Sequence, residues 1–243
     1  MISAIIIGII VGFFSGFLGI GGGTILVPIL LYLGFGFKEA VGISVTQMML
    51  SSAYGSFLNY KKGLLNIKNG LSLAVGGAIG ASLSGLIVKY TSTAILGAIF
   101  LTLVAIAIIR FFVTVKEPQE EPPIDHKKLF VIGFFVGMIS SSVGVGGAVL
   151  ITPILVGFLK YKLKTTVSLS LFFVIFSATS GFISQSLAGN INYLEGFTIG
   201  IASLIGTYFG IKLYHAIDTK IHKKILLAWY ILIFFATMYK LYF

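Results

Sequence analysis

The chain has 243 residues, 57% of them hydrophobic and only 10% charged, with a mean hydropathy of +1.06. An ordinary soluble domain carries about a quarter charged residues, so a soluble globular class is excluded. The formal net charge of +10 then reads as lysine-rich loops beside anionic lipid, with no nucleic-acid partner, and the lack of cysteine excludes disulfides, thiolate chemistry and iron–sulfur clusters.

An apolar segment opens the chain and covers residues 2–35, broken near Gly19–Gly23. No basic region precedes it, and it continues straight into glycine, so it reads as a retained, interrupted membrane helix and not as a secretory signal. Crossing the hydrocarbon takes roughly 20 apolar residues, and full spans are expected at 40–59, 65–88 and 93–115. Residues 116–128, KEPQEEPPIDHKK, form the single long polar stretch; three prolines and mixed charges make it a linker outside the membrane. A second interrupted segment covers 129–159, followed by spans at 166–188, 193–215 and 222–241. Trp229, Tyr230, Tyr239 and Tyr242 are expected to anchor the last helix at the interfaces. A β-barrel is excluded, because it needs short alternating segments and not uniform apolar runs.

The two interrupted segments are copies of one pattern. Residues 12–30 read GFFSGFLGIGGGTILVPIL, and 137–155 read GMISSSVGVGGAVLITPIL. At a spacing of 125, Gly12, Gly19, Gly21, Gly22 and Pro28 fall on Gly137, Gly144, Gly146, Gly147 and Pro153. One inserted residue shifts the spacing to 126, and then Val41, Ser44, Ser51, Gly55, Gly63, Asn66, Gly70 and Gly80 fall on Val167, Ser170, Ser177, Gly181, Gly189, Asn192, Gly196 and Gly206. The fold expected is an all-α polytopic membrane protein of two homologous halves, 1–115 and 129–243, joined by a cytoplasmic linker at 116–128. Each half holds one glycine-interrupted helix or hairpin and three full spans.

Charge decides between the two forms of the break. If each broken segment crosses once, eight basic residues fall on one side and nine on the other. If each goes in and comes back, one side keeps only Lys38, Lys89 and Lys240 and the other collects the remaining fourteen. Basic residues gather on the cytoplasmic side, which favours the second form in a cytoplasmic (inner) cell membrane. Both termini then lie outside, and an odd number of passes per half inverts the two repeats, an architecture of secondary transporters.

Interrupted helices place backbone where chemistry is possible. Glycine lets the chain turn sharply and approach a ligand, irregular backbone survives in a membrane only inside protein or beside a polar cavity, and a restarting helix presents N–H groups to an anion. Gly21, Gly22, Gly23 and Thr24, with Gly146, Gly147, Ala148 and Val149, read as two facing amide cradles; the alternative reading is that these glycines only permit tight helix packing. Hydroxyls and amides available to an oxyanion include Gln47, Ser51, Ser142, Ser177 and Gln185, with Ser44 and Ser51 sharing a helical face, as do Ser170 and Ser177. Pro28 and Pro153 follow the two breaks at one offset. No Lys follows either glycine cluster, which excludes a phosphate-binding loop. No Asp, Glu, His, Lys or Arg falls near the centre of a span, so a hydrolytic carboxylate pair, a metal or other cofactor and a buried proton relay are not expected.

These residues carry a family resemblance. GFFSGFLGIGGGTILVPIL and its echo GVGGAVLITPIL resemble the TauE/SafE family of membrane permeases, the sulfite exporter or DUF81 family, over nearly the whole chain. The resemblance implies a transporter of small sulfur-containing anions such as sulfite, sulfoacetate or other sulfonates, with Gly19, Gly21, Gly22, Gly23 and Pro28, and Gly144, Gly146, Gly147 and Pro153, as the family-like positions. Ala148 and Val149 depart from the first copy's Gly23 and Thr24, so unequal half-sites are expected. The reading is a non-enzymatic secondary carrier for a small anion, working by alternating access. Coupling to a proton or sodium ion, direction and oligomeric state stay open, and a non-transporting assembly subunit or membrane enzyme is the alternative.

Overall fold

The computed structural model describes residues 2–18, 22–61, 67–112, 122–217 and 219–242, and the regular elements among them are all helical. The first half supplies α1 (Ile2–Leu18), α2 (Gly23–Tyr32), α3 (Phe37–Lys61), α4 (Ile67–Ala81), α5 (Ser84–Tyr90) and α6 (Thr93–Phe112). The second supplies α7 (His126–Ser142), α8 (Ala148–Pro153), α9 (Leu163–Leu187), α10 (Tyr193–Ala216) and α11 (Thr219–Tyr242); a π-helical turn, Ile154–Phe158, prolongs α8. The starts of α3, α4 and α6 lie 126 residues before those of α9, α10 and α11.

Among the described residues three helical stretches are long and apolar enough to cross a membrane: Gly70–Tyr90, Tyr193–Leu213 and Lys224–Tyr242. The spans expected at 40–59 and 166–188 are helical, and polarity holds the first below that standard. At about 1.5 Å per residue, the 25 residues of α3 and of α9 are amply long. Ser44, Thr46, Gln47 and Ser51 dilute α3, and within α9 the described apolar stretch covers Phe172–Leu187. These hydroxyls and amides face inward and are buried, whereas Ile2, Ile6, Ile201, Ile205, Leu232 and Phe235 are exposed on the outer surface. An apolar exterior around a polar interior is the arrangement hydrocarbon selects.

The halves pack across each other. α1 runs mainly along α10, and α7 runs along α4 in the same manner. Close backbone approach sets both contacts: a Cβ on Gly12 would lie 2.0 Å from the Ser203 carbonyl oxygen, and one on Gly137 would lie 2.3 Å from that of Gly77. Gly8 meets Ile199, and Gly133 meets Leu73, in the same way. One contact is therefore made twice, with the two halves exchanged.

Hydrogen bonds show which helix ends share a face. At one end Lys38 Nζ donates to the Lys89 carbonyl at 3.1 Å, Asn192 Nδ2 donates to Glu39 Oε1 at 3.0 Å, and Lys240 Nζ sits 6.0 Å from the Tyr32 ring centre. At the other, the Tyr161 hydroxyl accepts from Asp125 N at 3.2 Å and donates to the Pro123 carbonyl at 3.3 Å. The chain from Asp125 to Tyr161 thus leaves one end of the bundle and returns to it. The first break turns back as well: a Cβ on Gly22 would lie 2.8 Å from Val11, midway along α1.

Two expectations are corrected. α7 begins at His126, inside the stretch assigned to the linker, because the Asp125 carboxylate caps it by accepting from Lys127 N and Lys128 N at 3.1 Å each. Trp229 and Tyr230 are not interfacial anchors, since Trp229 stacks on Phe14 at 4.4 Å and Tyr230 is buried. Tyr239 and Tyr242 are exposed, as an anchoring role requires.

Candidate functional site

Both breaks restart a helix in the same way. Gly22 caps α2 with φ −62° and ψ −10°, and Gly147 caps α8 with φ −59° and ψ −16°; neither helix has a side-chain cap. The Gly22 carbonyl accepts from Ile25 N and Leu26 N, and the Gly147 carbonyl accepts from the matching Leu150 N and Ile151 N. The helices then diverge. α2 continues for 10 residues through Pro28, whereas α8 lasts 6 and widens into the π turn directly after Pro153.

The breaks meet in the middle of the bundle. A Cβ on Gly23 would stand 1.9 Å from the Gly144 carbonyl oxygen, so glycine is required there, and Gly144 itself takes φ +68°. The Ser44 hydroxyl, from α3, donates to that same carbonyl at 2.8 Å. Ser44 thereby ties the first half's longest helix to the second half's break. The Gly146 carbonyl accepts from Val149 N at 3.1 Å and belongs to the turn.

Gln47 lies one turn beyond Ser44 on α3, with its carboxamide against Gly22: a Cβ there would be 2.4 Å from Oε1 and 2.8 Å from Nε2. The side chain is fully buried, and neither amide atom has a hydrogen-bond partner among the described residues. The same holds for the Thr24 hydroxyl at the amino end of α2. Burying such groups unpaired is costly. Among the described residues the buried polar side chains are all Ser, Thr or Gln, and no group of His, Asp or Glu is arranged to hold a metal.

The other expected site residues are placed as follows. Gly19 and Gly21 lie outside the described residues. Ser51 and Ser177 share a face with Ser44 and Ser170 but spend their hydroxyls on their own helices, donating to the Met48 and Val174 carbonyls. Ser142 does likewise with Met138 at 2.7 Å. The Gln185 amide is buried yet satisfied: Nε2 donates to the Ser141 carbonyl at 3.4 Å, and Oε1 accepts from Asn190 Nδ2 at 2.8 Å. Gly147 faces the Phe173 ring instead of a polar group, and Ala148 is buried beside it in sequence. Phe173 escaped the sequence reading, although its offset of 126 from Gln47 was a usable signal. A groove of about 700 Å³ lies elsewhere, between α4–α5 and α9, lined by Ser82, Leu86, Lys89, Ser180 and Leu187.

Comparison with known proteins agrees with this architecture. The model of the sulfite exporter TauE/SafE family matches residues 4–237. The chain belongs to that family. It is accordingly a multi-pass membrane transport protein for small anions and not an enzyme. It is 30% identical to a probable membrane transporter protein of Methanocaldococcus jannaschii, covering 92% of this chain and 90% of that one. The probable membrane transporter proteins YunE and YdhB of Bacillus subtilis are 25% and 26% identical, over 90% and 86% of this chain and 89% and 88% of theirs. No solved structure matches the chain.

Proposed function

We propose that this protein is a secondary carrier of the cytoplasmic membrane for a small sulfur-containing oxyanion such as sulfite, sulfoacetate or another sulfonate. The observation that carries the reading is the pair of doubled-back breaks meeting at mid-bundle beside a buried, unpaired carboxamide, Gln47. The half-helix end supplies positive potential, Gln47 and Thr24 supply neutral donors, and no buried acid among the described residues repels the charge. Such a site suits an anion better than a cation.

Alternating access follows from the repeats. Because each interrupted segment returns to the face it entered from, each half makes an odd number of passes and the two halves point in opposite directions. The grouping of Lys38, Lys89 and Lys240 at one end supports this, as these are the three lysines that charge counting puts outside. Rocking one repeat against the other then exposes the breaks to each side in turn. No buried carboxylate relay is present among the described residues, so a coupled proton would travel on the substrate.

Flux in proteoliposomes tests the proposal. The reconstituted protein is expected to carry sulfite or sulfoacetate down an imposed gradient, and Gly23→Ala, which drives a methyl into the Gly144 carbonyl, to reduce the rate at least about tenfold. A folded Gly23→Ala protein with undiminished flux would remove the breaks from the transport path.

A further inference from the structure

Matched position by position, the two breaks have the same backbone and opposite linings. Gln47 and Phe173 stand 126 residues apart, and each covers the matching glycine, Gly22 or Gly147. Thr24 is matched by Val149, and Gly23 by Ala148, at the spacing of 125. The first break therefore presents a carboxamide and a hydroxyl, both wholly buried and both without a partner among the described residues. At the second, a phenyl ring is wedged between two glycines: a Cβ on Gly147 would lie 2.2 Å from it, and one on Gly77 2.3 Å. The ring leaves neither room nor a side-chain donor there.

The serines reinforce the contrast. Ser44 spends its hydroxyl on the Gly144 carbonyl and so braces the second break against α3. Its match, Ser170, is buried with no partner among the described residues, and the corresponding acceptor, Gly19, lies outside them.

We infer that the protein holds a single oxyanion, gripped from the first break alone. Gln47 and Thr24 are its side-chain donors at the amino end of α2, and Phe173 is a plug that closes the matching half-site. The inference rests on the anion-carrier reading above and sharpens it: the duplicated motif yields one binding half and one structural half. A compact anion with several acceptor oxygens fits, since the Gln47 carboxamide lies against Gly22 and the Thr24 hydroxyl sits two residues on, at the amino end of α2.

Isothermal titration calorimetry on the full chain in detergent micelles tests this, with sodium sulfite kept anaerobic and with sodium sulfoacetate. One anion per chain is expected. Gln47→Met and Thr24→Val should each weaken binding at least about tenfold, whereas Phe173→Leu should change it by less than about threefold. Thr24→Val copies the residue of the second break, so it keeps the test alive if Gln47→Met fails to fold. Two equivalent anions per chain, or a loss in Phe173→Leu as large as that in Thr24→Val, overturns the one-sided site and leaves the carrier reading intact. A cooperatively folded wild-type protein that binds neither anion overturns the carrier reading and this inference with it.

Discussion

The first and second breaks differ in what they contain and agree in how they are built. Gly22 and Gly147 share backbone angles, carbonyl partners and a mid-bundle position, yet an amide covers one and a phenyl ring covers the other. The glycine contacts of α1 with α10 and of α7 with α4 are also repeated atom for atom. Backbone-to-backbone packing tolerates little change, because any side chain meets a carbonyl. A side chain that only lines a gap is free to diverge once the other copy performs the task.

The scaffold side of this comparison breaks if matched glycines are not equally essential. Gly12→Ala and Gly137→Ala each push a methyl into a carbonyl, and each is expected to cost about 2–3 kcal/mol, read as matching drops in thermal midpoint in detergent. A large drop in one and none in the other would show that the two contacts are not equivalent.

Amides in the two halves sharpen the contrast with a smaller effect of opposite sign. Gln185→Met removes the side-chain donor to the Ser141 carbonyl and one of the two acceptors of Asn190 Nδ2 and should destabilise by about 1–2 kcal/mol. Gln47→Met removes a buried group that has no partner among the described residues, so it should leave stability unchanged or raise it by about 1 kcal/mol while flux falls. Thermal melts paired with proteoliposome flux separate the two. Equal destabilisation by both substitutions would mean that Gln47 is a structural residue.

The smallest effect lies at the amino end of α7. The backbone N–H of Lys128, and then its ammonium, hold the Asp125 carboxyl below the usual carboxylate range. A depressed value means the cap stabilises fully above about pH 4 and loses that contribution as pH falls through the folded value. Asp125→Ala should therefore melt slightly below the wild type at neutral pH, with the gap closing in acid. A gap of constant size down to acid would show that the carboxylate charge plays no part.

Much of this was legible in the sequence, for identifiable reasons. The paired Gly–Pro segments marked both breaks, and the distribution of Lys38, Lys89 and Lys240 anticipated the three-lysine end of the bundle. Periodicity placed Ser51 and Ser177 on the faces of Ser44 and Ser170, but a shared face does not say whether a hydroxyl bonds outward or to its own helix, and both turned inward. Gln185 looked equivalent to Gln47 by type and burial; only the position of Asn190 across the α9–α10 turn shows its amide to be satisfied. The exchange of helices between halves was hidden because glycine faces on α1, α4, α7 and α10 are mutually compatible. The π turn after Pro153 follows from a local widening that residue type does not dictate.

Both interrupted segments double back in this account, so the start of α3 and the start of α9, each of which follows a break, open on opposite faces of the membrane. Because the chain contains no cysteine, single-cysteine labelling tests it without background. Lys38→Cys and Lys160→Cys, each labelled in oriented membranes with an impermeant maleimide, are predicted to react from opposite sides, Lys38→Cys from outside and Lys160→Cys from the cytoplasm, whereas breaks that each crossed once would put both on one side. Reaction of both from the same side, with a flux-competent protein, would contradict the account.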